Sequence, residues 1–101
     1  MKEQKRYVGI HKDINGGMTD TGKIIRDAWV FGLLPEDETC EGWLAAGIEK
    51  LWHQVQDEWA RYGFRVGNLP PELQERFYRI QEEAVQRARD AGWDPELGDE
   101  D

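Results

Sequence analysis

Apolar residues recur along this chain at helical spacing in three places. Leu44, Ile48, Leu51, Trp52, Val55, Trp59 and Tyr62 step by 4, 3, 1, 3, 4 and 3 residues, which puts them on one face of a helix about five turns long. Leu73, Phe77, Ile80, Ala84 and Ala88 repeat the pattern after Pro70 and Pro71; a proline at the first helical position has no hydrogen bond to lose there. Ile24, Ile25, Ala28, Trp29 and Phe31 form a broader stripe, which predicts a first helix from about Asp20 to Gly32 that is mostly buried. Gly32, Gly63 and Gly92 stand just past the three stripes, where a left-handed residue commonly ends a helix. Thr19 or Thr21 is the expected N-cap of the first helix. Thr39 is that of the second, with Glu41 complementing the dipole in its first turn.

The chain ahead of these helices has a different texture. In Tyr7-Val8-Gly9-Ile10-His11 the alternation is that of a short extended segment, which must pair with something because one strand cannot satisfy its own backbone. Asp13-Ile14-Asn15-Gly16-Gly17 is a turn. Pro35 to Thr39 is an acidic loop and Phe64 to Leu69 a linker. The short connection between helices two and three predicts an antiparallel hairpin, with helix one covering its open side. The expected architecture is mainly α: a small three-helix domain over residues 1–93, with a glycine-rich N-terminal arm containing a short extended segment. Residues 94–101 are expected to be an acidic disordered tail, because they hold too little apolar surface to order themselves.

Length narrows the possibilities. A chain of 101 residues makes one domain with a modest core, which excludes barrels, doubly wound nucleotide-binding folds and two-lobed enzymes. Thirteen Lys and Arg against 21 Asp and Glu give a formal charge of −8, so a phosphate backbone would be repelled unless the cations were gathered on one face. They are gathered only weakly, at Lys2, Lys5, Arg6 and Lys12; on helix three Arg76, Arg79, Arg87 and Arg89 are interleaved with Glu72, Glu75, Glu82 and Glu83, the pattern of a solvated face. No nucleic-acid partner is expected. One cysteine permits no intramolecular disulfide, and no apolar run has the length of a signal peptide or a membrane span. These features predict a soluble cytoplasmic protein with no membrane partner and no cofactor.

Several patterns resemble chemistry. Gly17-Met18-Thr19-Asp20-Thr21-Gly22-Lys23 has the spacing of a phosphate-binding loop, but Ile24 stands where a magnesium-binding hydroxyl is needed and Asp20 would put a negative charge in the cradle. A glycine-rich turn into a capped helix accounts for it, with anion binding at the helix N-terminus as the weaker alternative. Cys40 is surrounded in sequence by Glu36, Asp37, Glu38 and Glu41; two nearby carboxylates outweigh a helix dipole of about half a charge, so the thiol is expected to be unactivated. Glu49, His53 and Asp57 lie along one strip, yet three ligands from one straight helix do not converge on a metal. That strip is read as solvated, with Asp57 and Arg61 paired. His11, Asp13 and Asp20 form a polar cluster without a nucleophile beside it. Trp52 and Trp59, seven residues apart, are expected in the core, whereas Trp29 and Trp43 flank the acidic loop and are candidates to border a pocket.

The function expected from these features is that of a small protein-interaction or regulatory module. It would present its glycine-rich segment and acidic loop to a protein partner or to a second copy. The candidate binding residues are His11, Asp13, Asp20, Lys23, Trp29, Cys40 and Trp43, and the reading predicts an exposed apolar patch near Trp29, Leu33, Leu34 or Trp43. The alternative is a small enzyme or an anion- or small-ligand-binding protein using His11, Asp13, Asp20 and Cys40. In its catalytic form it requires His11 within hydrogen-bond reach of Cys40.

Overall fold

A computed structural model of the protein describes residues 5–93; the acidic segment 94–101 lies outside the described residues. Three α-helices form the domain: α1, Asp20–Val30; α2, Ala45–Ala60; and α3, Pro71–Asp90. Short 3₁₀ turns occupy Ile10–Lys12, Ile14–Gly17 and Val66–Asn68. The fold is thus mainly helical, and no strand is present among the described residues beyond one isolated antiparallel bridge between Arg6 and Leu44. No helix among them is long and apolar enough to cross a membrane.

Each helix ends for the same local reason. Gly32, Gly63 and Gly92 take positive φ values of 74°, 64° and 97°. The residue after each donates its N–H back into the last turn: Leu33 to the Ala28 carbonyl at 2.9 Å, Phe64 to Trp59 at 3.0 Å and Trp93 to Ala88 at 2.9 Å. This is the Schellman closure that glycine permits without a Cβ clash. α1 begins on Thr19, whose Oγ1 accepts from the Gly22 N–H at 3.0 Å. α3 begins on its proline.

The start of α2 departs from expectation. Thr39 does not cap it; Thr39 Oγ1 accepts instead from the Glu41 N–H at 3.3 Å, within a turn. Cys40 and Gly42 both adopt positive φ, and a chain in that conformation cannot enter a right-handed helix. Helical geometry therefore begins only at Ala45, after Leu44. The arm differs as well. Its extended run pairs at Arg6 and Tyr7, but Gly9 turns it into a 3₁₀ turn from Ile10, so His11 belongs to the turn.

α1 is the central element and packs against both α2 and α3. Ile25 through Val30 are all buried, including Arg26 and Asp27. The rings of Trp59 on α2 and Phe77 on α3 stand edge-on, 6.1 Å apart, but each of these helices packs mainly on α1 rather than on the other, as the expected hairpin would have it. Trp59 is further enclosed by Phe31, at 5.1 Å, and donates its indole N–H to Asp27 Oδ2 at 3.1 Å. At the level of Trp52 nothing equivalent crosses α2. Trp52 is accordingly 41% exposed, not in the core where its spacing had placed it.

Candidate functional site

Asp13 organises the arm. Its Oδ2 accepts from the Tyr7 hydroxyl and from the Thr19 hydroxyl, each at 2.7 Å, and its Oδ1 accepts from the Ile14 N–H at 2.7 Å. Burial by itself raises the pKa of this carboxyl, but the three donors outweigh it and hold the group below the usual aspartate range. The Tyr7 hydroxyl is pushed up by burial and by donating to this carboxylate. Because Thr19 also caps α1, one carboxylate couples the arm to the first turn of the central helix.

The sequence with phosphate-loop spacing is closed from within. The buried Arg26 donates from Nη1 to the Gly17 carbonyl at 2.7 Å, and a Cβ at Gly22 would overlap that same carbonyl oxygen. A carbonyl oxygen therefore occupies the ground that a phosphate would need. Lys23 turns away, bonding Asp27 Oδ2 at 3.0 Å. Burial pulls the Arg26 guanidinium below its ordinary pKa, partly opposed by Asp27.

Cys40 is fully buried. Burial, followed by the charge of Glu38, pushes its thiol up to about 11. His11 is exposed, and its pKa is lowered by burial of part of the ring and by Arg87. No hydrogen bond joins the two residues among the described ones, so nothing in the arrangement activates the thiol. Trp29 is buried, and its indole N–H donates to the Glu38 carbonyl at 3.0 Å. His53 and Asp57 are exposed, and Arg61 pairs with Glu58 at 3.7 Å rather than with Asp57. Among the described residues, no group of three or more His, Cys, Asp or Glu side chains has the geometry to hold a metal.

What the fold does leave open is a groove of about 810 Å³ between the arm, the N-terminal half of α1 and the N-terminal half of α2. Val8, Ile24, Trp43, Ile48 and Trp52 supply its apolar surface, and Lys5, Arg6, Asp13 and Glu49 its charges. A second cleft of about 570 Å³ adjoins it, since Ile24 and Trp52 line both; it continues past Val55 to Phe64 and Phe77. Asp20 and Lys23 line this continuation. Of the candidate residues, the structure thus brings Asp13 and Trp43 to the main groove and Asp20 and Lys23 to its extension. His11, Trp29 and Cys40 do not line either part.

Sequence reasoning missed Val8, Trp52 and Phe64, which are 50%, 41% and 61% exposed. A signal was available for one of them. Leu51 and Trp52 are adjacent within the α2 stripe, so that stripe is wider than one helix contact fills. It also missed Arg26 and Asp27, the two charged members of an otherwise apolar run from Ile24 to Phe31. Comparison with known proteins finds no matching family model, no matching curated protein and no matching solved structure.

Proposed function

We propose that this protein is a small interaction module whose groove receives a peptide segment of a protein partner, one that carries apolar side chains among acidic ones. One observation carries the proposal. Among the described residues five large apolar side chains are left exposed, and three of them gather at two adjoining clefts: Val8 lines the main groove, Phe64 the second cleft and Trp52 both. Singly scattered apolar residues need no explanation, but gathered and concave ones fit a binding site. Charge supports the acidic character of the partner. On the arm side of the groove Lys5 and Arg6 outnumber the single carboxylate of Asp13, which three internal donors hold; the other lining carboxylate, Glu49, belongs to α2. In a chain of net charge −8, that side is where an acidic segment is attracted rather than repelled. A buried, protonated lone cysteine is compatible with work in a reducing cytoplasm.

The test uses affinity capture from the native cell extract with matched variants. The wild-type protein retains a partner that Trp52→Gln loses. The same partner is kept by Ile14→Lys and Tyr78→Lys, which alter exposed apolar residues outside the groove. A partner held equally by Trp52→Gln, a partner lost equally with either control, or no retained protein at all would overturn the proposal.

A further inference from the structure

The arm that lines the groove is also an open strand edge. Tyr7 turns both of its backbone groups inward: its N–H donates to the Trp43 carbonyl and its carbonyl accepts from Gly42, each at 2.8 Å. In an antiparallel pair, successive residues direct their N–H and C=O groups to opposite edges. Arg6 and Val8, on either side of Tyr7, therefore hold theirs on the edge away from residues 42–44. Neither makes a backbone hydrogen bond among the described residues. Two donors and two acceptors thus stand in a row on a segment whose side chains already line an apolar groove. Such an edge is a template for pairing with another chain.

Resting on the docking function proposed above, we infer that the partner segment binds as an added β-strand. Its backbone pairs with Arg6 and Val8, alternate apolar side chains lie against Ile48 and Trp52, and acidic side chains flank Lys5 and Arg6. A helical occupant satisfies its own backbone and leaves the row on Arg6 and Val8 unmet; an extended one satisfies both partners at once. The division of labour follows from strand geometry. Main-chain bonds hold the segment, and every second side chain enters the groove and sets the preference.

A random linear dodecapeptide library displayed on phage is selected against the intact protein, and the enriched peptides are synthesised. Enrichment of alternating apolar residues with neighbouring Asp or Glu is the expected result. Peptides N-methylated at alternate backbone positions lose at least tenfold in affinity, and those methylated at the intervening positions bind as before. Val8→Pro removes one edge donor that the fold does not use, and it weakens binding at least tenfold while the helical circular dichroism stays unchanged. Should that variant not fold, the methylated peptides apply the same test from the ligand side. Peptides that depend on Trp52 but are indifferent to every N-methylation overturn strand addition and leave groove docking standing. Apolar enrichment at three- and four-residue spacing does the same in favour of a helix. Selection of no peptide sensitive to Trp52→Gln overturns both. A dimer in sedimentation that Val8→Pro dissolves, and that no selected peptide displaces, assigns the edge to a second copy and overturns the acidic segment.

Discussion

Asp13 joins the arm, the turn after it and the cap of α1 through one carboxylate. The sequence marked this aspartate as a candidate binding residue, and the structure sets it in the groove wall with three of its acceptor positions already filled by internal donors. Nothing in local spacing reveals that, because the partners Tyr7 and Thr19 are brought to it only by the turn between them. Asp13→Asn keeps the shape and removes the charge, and should cost about 1–2 kcal/mol at neutral pH, the scale of charge-assisted bonds. The folded-state pKa of Asp13 is depressed. Its contribution is therefore full above the unfolded value of about 3.9 and is lost as pH falls through the folded value. Urea titrations of the two proteins should differ by a constant amount at pH 5–7 and draw together progressively as pH falls below 4; a gap that stays unchanged down to pH 2 rejects this account. Cys40 offers a second check at the same scale. The carboxylates surrounding it in sequence predicted an unactivated thiol; burial is the larger cause, and of those carboxylates Glu38 adds to it. A pKa of about 11 leaves roughly two orders of magnitude less thiolate at pH 8 than a free cysteine has. Iodoacetamide should therefore label the native protein at least about a hundredfold more slowly than the urea-unfolded chain, and comparable rates would contradict the burial.

Helix ends show which local signals survive folding. The three stops were legible because a left-handed glycine after an apolar stripe needs no tertiary help: Gly32, Gly63 and Gly92 each close their own helix. The start of α2 was not legible. Thr39 has the side chain of a cap, but the turn through Cys40 and Gly42 is held by pairing with Tyr7, a residue far away in sequence. Likewise the pattern of Tyr7 to His11 signalled an extended run without revealing that it ends at Gly9. Two glycine substitutions separate backbone conformation from packing. A Cβ at Gly32 meets nothing within 4 Å, so Gly32→Ala pays only for its φ of 74°, about 1 kcal/mol. Gly47 lies inside α2 with ordinary helical φ, and a Cβ there makes van der Waals contact with Trp43 at 3.4 Å. Gly47→Ala should therefore stabilise by about 0.5–1 kcal/mol. Thermal unfolding of the pair should move in opposite directions, and a common direction would mean that helix ends in this protein are set by packing.

At the scale of the molecule, folding and surface are divided between two tryptophans on one helix. Trp52 and Trp59 share a face by sequence spacing, and spacing alone assigns both to the core. The difference arises because Asp27 of α1, Phe31 just after it and Phe77 of α3 all close on Trp59 and not on Trp52. Over Trp52 the opposing surfaces are the arm and the first turns of α1, which stand back and leave the groove. The three-helix content could be read from the sequence because each amphipathic stripe is a local record of burial. The groove could not, because it is a space between elements whose relative placement no stripe encodes. This division makes a quantitative prediction. Trp59→Ala removes a buried ring and the donor to Asp27, and should destabilise by about 3–5 kcal/mol. Trp52→Gln should cost about 1–2 kcal/mol, because part of its ring already meets water. Chemical denaturation should therefore rank the two variants far apart, while binding of a groove-dependent peptide is lost in Trp52→Gln with the fold intact. If Trp52→Gln unfolds the domain as readily as Trp59→Ala, the groove is a structural seam and no docking surface remains on this face.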